Sequence, residues 1–458
     1  MAEPRIVVVG AGPAGVRCAE TLAAAGLRPV VIDEGRRDGG QIYRRQPDNF
    51  RRPYEKLYGT EAARARALHE TFDALRGQVD YRPETLVWSM GGKTLHTVRE
   101  GRHAAVEYDA LILCTGAIDR LAPIKGWNSA GAYSLGAAQI ALKSQACAIG
   151  REVVFLGSGP LLYLVASQYV AAGAKVVAVL DTSRVGRRIA ALPKLLAQPG
   201  ALWTGLGLTL GLYRAGVPVL TGVTPLEIAQ AGAGELRSVL VRDAGGRERR
   251  FDCDAVGMGW HLRPETQLAD LARCEFRFDE SSRQWVVKRD EMGRSTSRGV
   301  YLAGDGAYVL GARAAEASGR LAALAALGDL GRPVSDAAVA GLKAELARWD
   351  RFAAGLRQAF PWPFSLAAET PDETVVCRCE TVTAGDLRQV VRATGAAEAN
   401  RAKAFSRVGM GRCQGRYCGQ SGAEIIACAS GAPVEQVGRL RGQAPVKPLP
   451  VHLEEEEA

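Results

Sequence analysis

Four cysteines near the carboxyl end stand in two close pairs. Cys377 and Cys379 form C-x-C; Cys413 and Cys418 form C-x4-C after 33 intervening residues. Four thiolates at such spacing suit a zinc ion or an iron-sulfur cluster. Zinc ribbons place both pairs close to C-x2-C, because each pair turns around one tetrahedral ion, so these unequal arms favour a wider two-iron core. From Arg378 to Arg416 eight Lys or Arg stand against three Asp or Glu, and Arg412 and Arg416 flank cysteines. Cationic neighbours and glycine N–H groups would stabilise a reduced, anionic cluster. A docking face for an acidic partner would carry the same charge.

The opposite end carries a different chemistry. In "GAGPAG", Gly10 permits a tight turn after a strand, Gly12 lets the backbone approach a pyrophosphate, and Gly15 allows close packing of helix on sheet. The helix that opens at Pro13 and Ala14 then offers unpaired N–H groups and a positive dipole end to phosphates. Asp33 follows Gly10 by 23 residues at the end of the next strand, where a carboxylate accepts hydrogen bonds from a ribose diol; Glu34 is the neighbouring alternative.

The later "LAGDGAYVLGARAAE" resembles the two-dinucleotide-domain flavoproteins, the broad family of glutathione and thioredoxin reductases, over roughly residues 5 to 340. That resemblance implies FAD in the first site. Asp305, after Gly304, matches the aspartate that bonds the ribityl chain, and the next helix points its N-terminus at the flavin ring. Gly40 and Gln41 in "GGQIY", with Thr115 and Gly116, also fit the family pattern. The cysteine segment, in turn, resembles the small domain of bacterioferritin-associated ferredoxin (BFD) type, which carries a 2Fe-2S cluster. Its C-x-C-E opening and G-x-G-x-C-Q-G-x-x-C-G closing carry that likeness, with a second pair nearer to versions fused onto oxidoreductases. The cluster ligands are then Cys377, Cys379, Cys413 and Cys418.

A second βαβ unit begins at Arg151. Its "GSGPLL" keeps Gly157 and Gly159 but places Leu162 where close helix–strand contact wants glycine or alanine, so the helix should be pushed outward and the pyrophosphate seat disturbed. Asp181 is its candidate ribose acceptor, and Arg184, Arg187 and Arg188 are candidate phosphate partners. The site is expected to hold NAD(P), another nucleotide, or nothing. Disulfide reductase chemistry is not expected: Cys114, Cys147, Cys253 and Cys274 are isolated, and no role is assigned to Cys18 or Cys428.

These elements predict an α/β fold of two Rossmann-like dinucleotide-binding domains, the second inserted in the first, plus a small C-terminal BFD-like iron-sulfur domain. The expected limits are 1–118 with 292–350 for the FAD-binding domain, 119–291 for the insertion, 351–373 for a linker, 374–440 for the cysteine domain and 441–458 for a tail. The proline-rich "FPWPFSLAAETPDE" from Phe360 supports the linker, and "HLEEEEA" supports a solvated acidic end.

At 458 residues and 47% hydrophobic content the chain has ample length for a core, and a net charge of +9 does not choose among partners. No leader precedes the first strand, so a cytoplasmic protein is expected. The apolar window from Ala201 to Leu220 is broken by glycines, Pro218 and Arg214, which predicts a buried or lid-like helix pair and no transmembrane segment. Nucleic acid is not an expected partner, because no aromatic or helical recognition module is present. No catalytic residue is legible: His69, His96, His103, His261 and His452 form no acid–base or metal constellation with their sequence neighbours. The arginine-rich stretch from Arg36 to Arg52 suits an anionic cofactor, a carboxylate substrate, a neighbouring protein chain or plain solvent.

FAD moves electrons in pairs and a cluster moves them singly, so their combination implies an electron relay. The whole layout resembles the larger-subunit partner of heteromeric amino-acid, opine and hydroxyproline dehydrogenases, and the related hydrogen cyanide synthase subunit. The resemblance implies a hetero-oligomer with an amine-oxidase-like (DAO-type) flavoprotein subunit that oxidises a C–N bond, together with a small third subunit and an FMN between chains. The competing readings are a self-sufficient NAD(P)H-dependent reductase and a largely structural nucleotide-binding subunit.

Overall fold

The computed structural model describes residues 3–232, 234–450 and 454–455. Two five-stranded parallel sheets organise it. The first runs in the order Val300–Leu302, Ala110–Leu113, Ile6–Val9, Val30–Ile32, Asp80–Arg82. Its central strands are apolar at every position because both faces are covered, as parallel sheets require. The helices Pro13–Ala24 and Ala312–Asp329 cover one face; they meet so closely that a Cβ on Gly319 would lie 2.1 Å from the Ala14 carbonyl. The antiparallel strands Leu86–Gly91, Thr94–Arg99 and Arg102–Glu107 cover the other.

The second sheet runs Val219–Thr221, Lys175–Asp181, Glu152–Ser158, Ala255–Trp260, Ala132–Ser134. Leu162 is fully buried in its core with Phe155 and Val165, so the leucine is received between helix and sheet. The cysteine domain is a short hairpin, Val375–Cys377 with Val382–Thr383, followed by helices Ala384–Thr394, Ala399–Ser406 and Cys418–Ser430. Thr383 and Asp386 form a reciprocal capping box at the first of these helices, and Gly395 ends it in the left-handed conformation.

Several expected limits move. Leu268, Ala269, Cys274 and Val287 are buried with Val7, Ile32 and Leu113, so the chain rejoins the first core by Leu268 and not at residue 292. The stretch 351–373 is no spacer: helix Asp336–Ala359 crosses its start, and Phe352 and Ala359 pack with Ala191 and Leu195. Trp362 is buried further on, with the Arg120 guanidinium 3.8 Å above its ring. Composition reads this segment as a linker, but its aromatic rings find distant partners.

The end of the chain folds back as well. Val446 is buried in the first core and donates its N–H to the Trp88 carbonyl, while Glu454–Glu455 pairs in parallel with Arg102 and His103. The rest of "HLEEEEA", His452 included, lies outside the described residues. The window from Ala201 enters a single helix, Pro199–Arg214, whose one buried side chain is Leu212, in place of the expected buried or lid-like pair. No described helix is long and apolar enough to cross a membrane.

Candidate functional site

One cavity of about 880 Å³ runs from the first glycine turn to the four cysteines. Gly10, Gly12, Pro13 and Ala14 line one end, with Asp33, Glu34, Gly40 and Gln41; Thr115, Gly116, Gly304 and Asp305 line its middle. Cys377, Cys379, Cys413 and Cys418 line the far end. Gly15 lies beneath, not in the wall: a Cβ there would meet the Gly10 carbonyl oxygen at 1.7 Å, so only glycine lets the helix start against the strand.

Asp33 is half-buried at the strand end and accepts from the backbone N–H of Ala11 and, at 2.6 Å, of Gly35. Burial raises its pKa while those two donors pull it down. Asp305 accepts from the N–H groups of Leu310 and Gly311 at 2.9 Å each, just before the helix Ala312–Asp329, while the residue still borders the cavity. It therefore holds the loop that aims this helix N-terminus at the cavity, and burial pushes its pKa up. The size of the cavity, the open turn at Gly12 and a carboxylate at each expected position fit a flavin dinucleotide.

At the cysteine end Gly411 makes the crossing possible, since a Cβ there would lie 2.2 Å from that of Cys379. Cys418 is a neighbour of both Cys377 and Cys413, and Cys413 also of Cys379. With Cys418 as donor, the Cys377 thiol is lowered to about 6, helped by N–H groups of Gly409, Glu380 and Cys379. The Cys413 thiol is likewise lowered to about 5, by Cys418 first and then by N–H groups of Tyr417 and Gly415. Among the described residues no three His, Cys, Asp or Glu side chains converge on a single ion position. Four neighbouring thiols, two of them acidified, are a donor set that suits an iron-sulfur core.

Residues without a local sequence signal weld this end to the first domain. The Arg416 side chain pairs with Glu265 at 2.6 Å and also donates to the Val446 carbonyl at 2.7 Å. Arg263 donates to the Arg416 carbonyl, Gln267 to that of Gln414, and Thr115 to that of Glu265. Arg416 is therefore a strut, not a free cation beside the cysteines. Arg378 stacks 4.6 Å from the Trp127 ring, and Lys447 pairs with Glu34 over the nucleotide end of the cavity. In the arginine-rich stretch, Arg37 and Arg44 reach the cavity wall, whereas Arg45 and Arg52 bind internal acceptors.

The second glycine turn is closed. Gly157 and Gly159 do not line the cavity, and the His261 ring sits 3.3 Å from where a Gly159 Cβ would be. His261 donates to the Phe360 carbonyl, and burial lowers its pKa to about 4, so it is neutral. Asp181 is fully buried, with its oxygens committed to Tyr163, Arg188 and the Ser183 N–H. The Arg188 guanidinium lies 5.2 Å from the Tyr163 ring and 5.0 Å from that of Phe360. These side chains do not fit NAD(P) or another nucleotide: the ribose acceptor is already satisfied and the phosphate seat is covered. Of the remaining histidines, His69 bonds Tyr54 and the Tyr43 carbonyl, and His96 stacks on His103.

A family model described as pyridine nucleotide-disulphide oxidoreductase matches residues 4–323, and one described as BFD-like [2Fe-2S] binding domain matches residues 375–427. An opine oxidase subunit of Rhizobium meliloti is 39% identical over 460 residues, covering 97% of this chain and 86% of that protein. Hydrogen cyanide synthase subunit HcnB of Pseudomonas aeruginosa is 32% identical over 459 residues, covering 97% of each. The structure of L-proline dehydrogenase from P. horikoshii superposes with a TM-score of 0.71 at 18% identity, over 98% of this chain and 79% of that one, a likeness of fold.

Proposed function

Because the chain belongs to the pyridine nucleotide-disulphide oxidoreductase family, ends in a BFD-like [2Fe-2S] binding domain and has opine oxidase relatives along nearly its whole length, we propose that it is the electron-transfer subunit of a heteromeric dehydrogenase. The reaction served is oxidation of the C–N bond of an opine, amino acid or imino acid such as proline or hydroxyproline, carried out on an amine-oxidase-like flavoprotein subunit. The cavity that joins the first glycine turn to the four cysteines is the observation that supports this reading.

When bound, FAD supplies two-electron chemistry and a 2Fe-2S cluster one-electron chemistry. The residues of the chain do the rest. The N–H groups at the start of helix Pro13–Ala24 would seat the pyrophosphate, Asp33 would orient the ribose, and the helix that opens at Ala312 would offer its positive end to the flavin ring. Cys377, Cys379, Cys413 and Cys418 would hold the irons, and the Arg416–Glu265 pair ties their segment to the first domain. The covered second turn opposes the reading as a self-sufficient NAD(P)H reductase.

The test is anaerobic visible spectroscopy of the complex purified with its natural partner, titrated first with NADH and NADPH and then with opine and imino-acid substrates. Bleaching by substrate alone is expected. Bleaching by NAD(P)H alone, or oxidised cofactors throughout turnover, overturns the proposal. Cys379→Ser should remove the cluster bands and leave FAD in place.

A further inference from the structure

Helices Val185–Leu195 and Pro199–Arg214 turn an apolar stripe outward. On the first, Val185, Ile189 and Leu192 recur at helical spacing, continue to Leu196, and are 50%, 62%, 40% and 59% exposed. On the second, Trp203, Leu206, Leu210 and Tyr213 do the same, at 71%, 51%, 47% and 54%. The inner faces are already packed, with Ala191 and Leu195 on Trp349 and Phe352, and Leu212 in the core of the second sheet. Eight large apolar side chains on two consecutive helices exceed the scattered surface hydrophobes of an ordinary soluble domain.

The charge around the stripe selects its occupant. From Thr182 to Leu226 there are five Lys or Arg and no Asp or Glu. Arg188 is held by Asp181, while Arg184, Arg187, Lys194 and Arg214 are exposed and meet no carboxylate among the described residues. A second copy would bring cation against cation. We infer that this helix pair docks on an anionic lipid bilayer, lying in the interface with the apolar stripe inserted and the cations at the phosphate level. Trp203 and Tyr213 have the amphipathic rings that settle there, and sixteen residues from Pro199 to Arg214 suit a helix lying in the plane better than one crossing the membrane. Each basic side chain near an anionic leaflet strengthens binding roughly fivefold.

The test is flotation of the whole complex with vesicles of phosphatidylcholine alone or mixed equally with phosphatidylglycerol. The complex should float with the mixed vesicles, far less with the neutral ones, and less in high salt. Ile189→Glu/Leu206→Glu/Leu210→Glu should lower the bound fraction at least tenfold while turnover with a soluble dye and the stoichiometry of the complex stay unchanged. Arg184→Gln/Arg187→Gln/Arg214→Gln, which leaves every packed residue in place, should abolish the preference for mixed vesicles. Failure of the wild-type complex to float, or unaltered flotation of both variants, overturns the inference. So does loss of a partner chain from the apolar-stripe variant, which would make the face a protein interface.

Discussion

Removing the Glu265 carboxylate should loosen the cysteine domain from the flavin side of the cavity. Glu265 and Arg416 are only 11% and 12% exposed and meet at 2.6 Å, so Glu265→Ala strands a guanidinium that is mostly out of water. Breaking such a pair costs about 3 kcal/mol, at the low end of the range for a buried charge because a little solvent reaches it. That is a factor of roughly 150 in the equilibrium holding the two regions together. Arg416→Met also orphans the Val446 carbonyl, whereas the Cys413 carbonyl keeps the Arg416 backbone N–H, so its own effect should be larger. A double-mutant cycle in urea isolates the pair, and a coupling of at least ~1.5 kcal/mol is expected. In stopped-flow reduction of the complex, the flavin should still bleach with substrate while the cluster bands lag. A coupling below ~0.5 kcal/mol, or unchanged cluster reduction in Glu265→Ala, refutes the view that this pair fixes the relay geometry.

Lys143 is buried, and its pKa is lowered to about 8, chiefly by burial and then by Arg44. Below pH 8 folded and unfolded chains both hold the proton and the penalty is constant; from 8 to 10.5 the folded chain releases it first, so wild-type stability rises with pH. Lys143→Met should be the more stable form at pH 7, with its advantage shrinking by ~2 kcal/mol at about pH 10; a gap in urea midpoints independent of pH refutes this. Arg188→Ala leaves Asp181 buried without its cation and should lower unfolding stability by ~3 kcal/mol, whereas an unchanged midpoint would mean the closed second turn is not held by this pair. Trp362→Phe removes the indole N–H that reaches both Glu424 oxygens at 2.8 and 2.9 Å, for an expected loss of ~2 kcal/mol; no change in thermal or urea unfolding counts against it.

The two dinucleotide-type βαβ units and the cysteine domain were readable because each rests on short-range order. A strand, a glycine turn and a helix within about thirty residues announce themselves, and so do C-x-C and C-x4-C. Asp33 was named from its offset after a strand and Asp305 from the flavoprotein resemblance, and both line the cavity. Glu265, Arg263 and Lys447 were not, because their meaning lies in partners far along the chain: Glu265 meets Arg416, and Lys447 meets Glu34. The closed second turn was half legible. Leu162 marked an irregular seat, but the side chain that covers it, His261, comes from the far end of a strand much later in the chain. Composition misread residues 351–373, since prolines and aromatics describe a spacer and a packed corner equally well until Trp362 is seen against Arg120.

The cysteine-bearing module is stitched down on both sides, by Trp362 where the polypeptide enters and by Val446 where it leaves. A swinging shuttle is incompatible with two seams. Under the proposed function, electrons would pass a stationary gate with the exposed Cys379 at its outer rim, and an acceptor would have to travel to the protein and call at that edge.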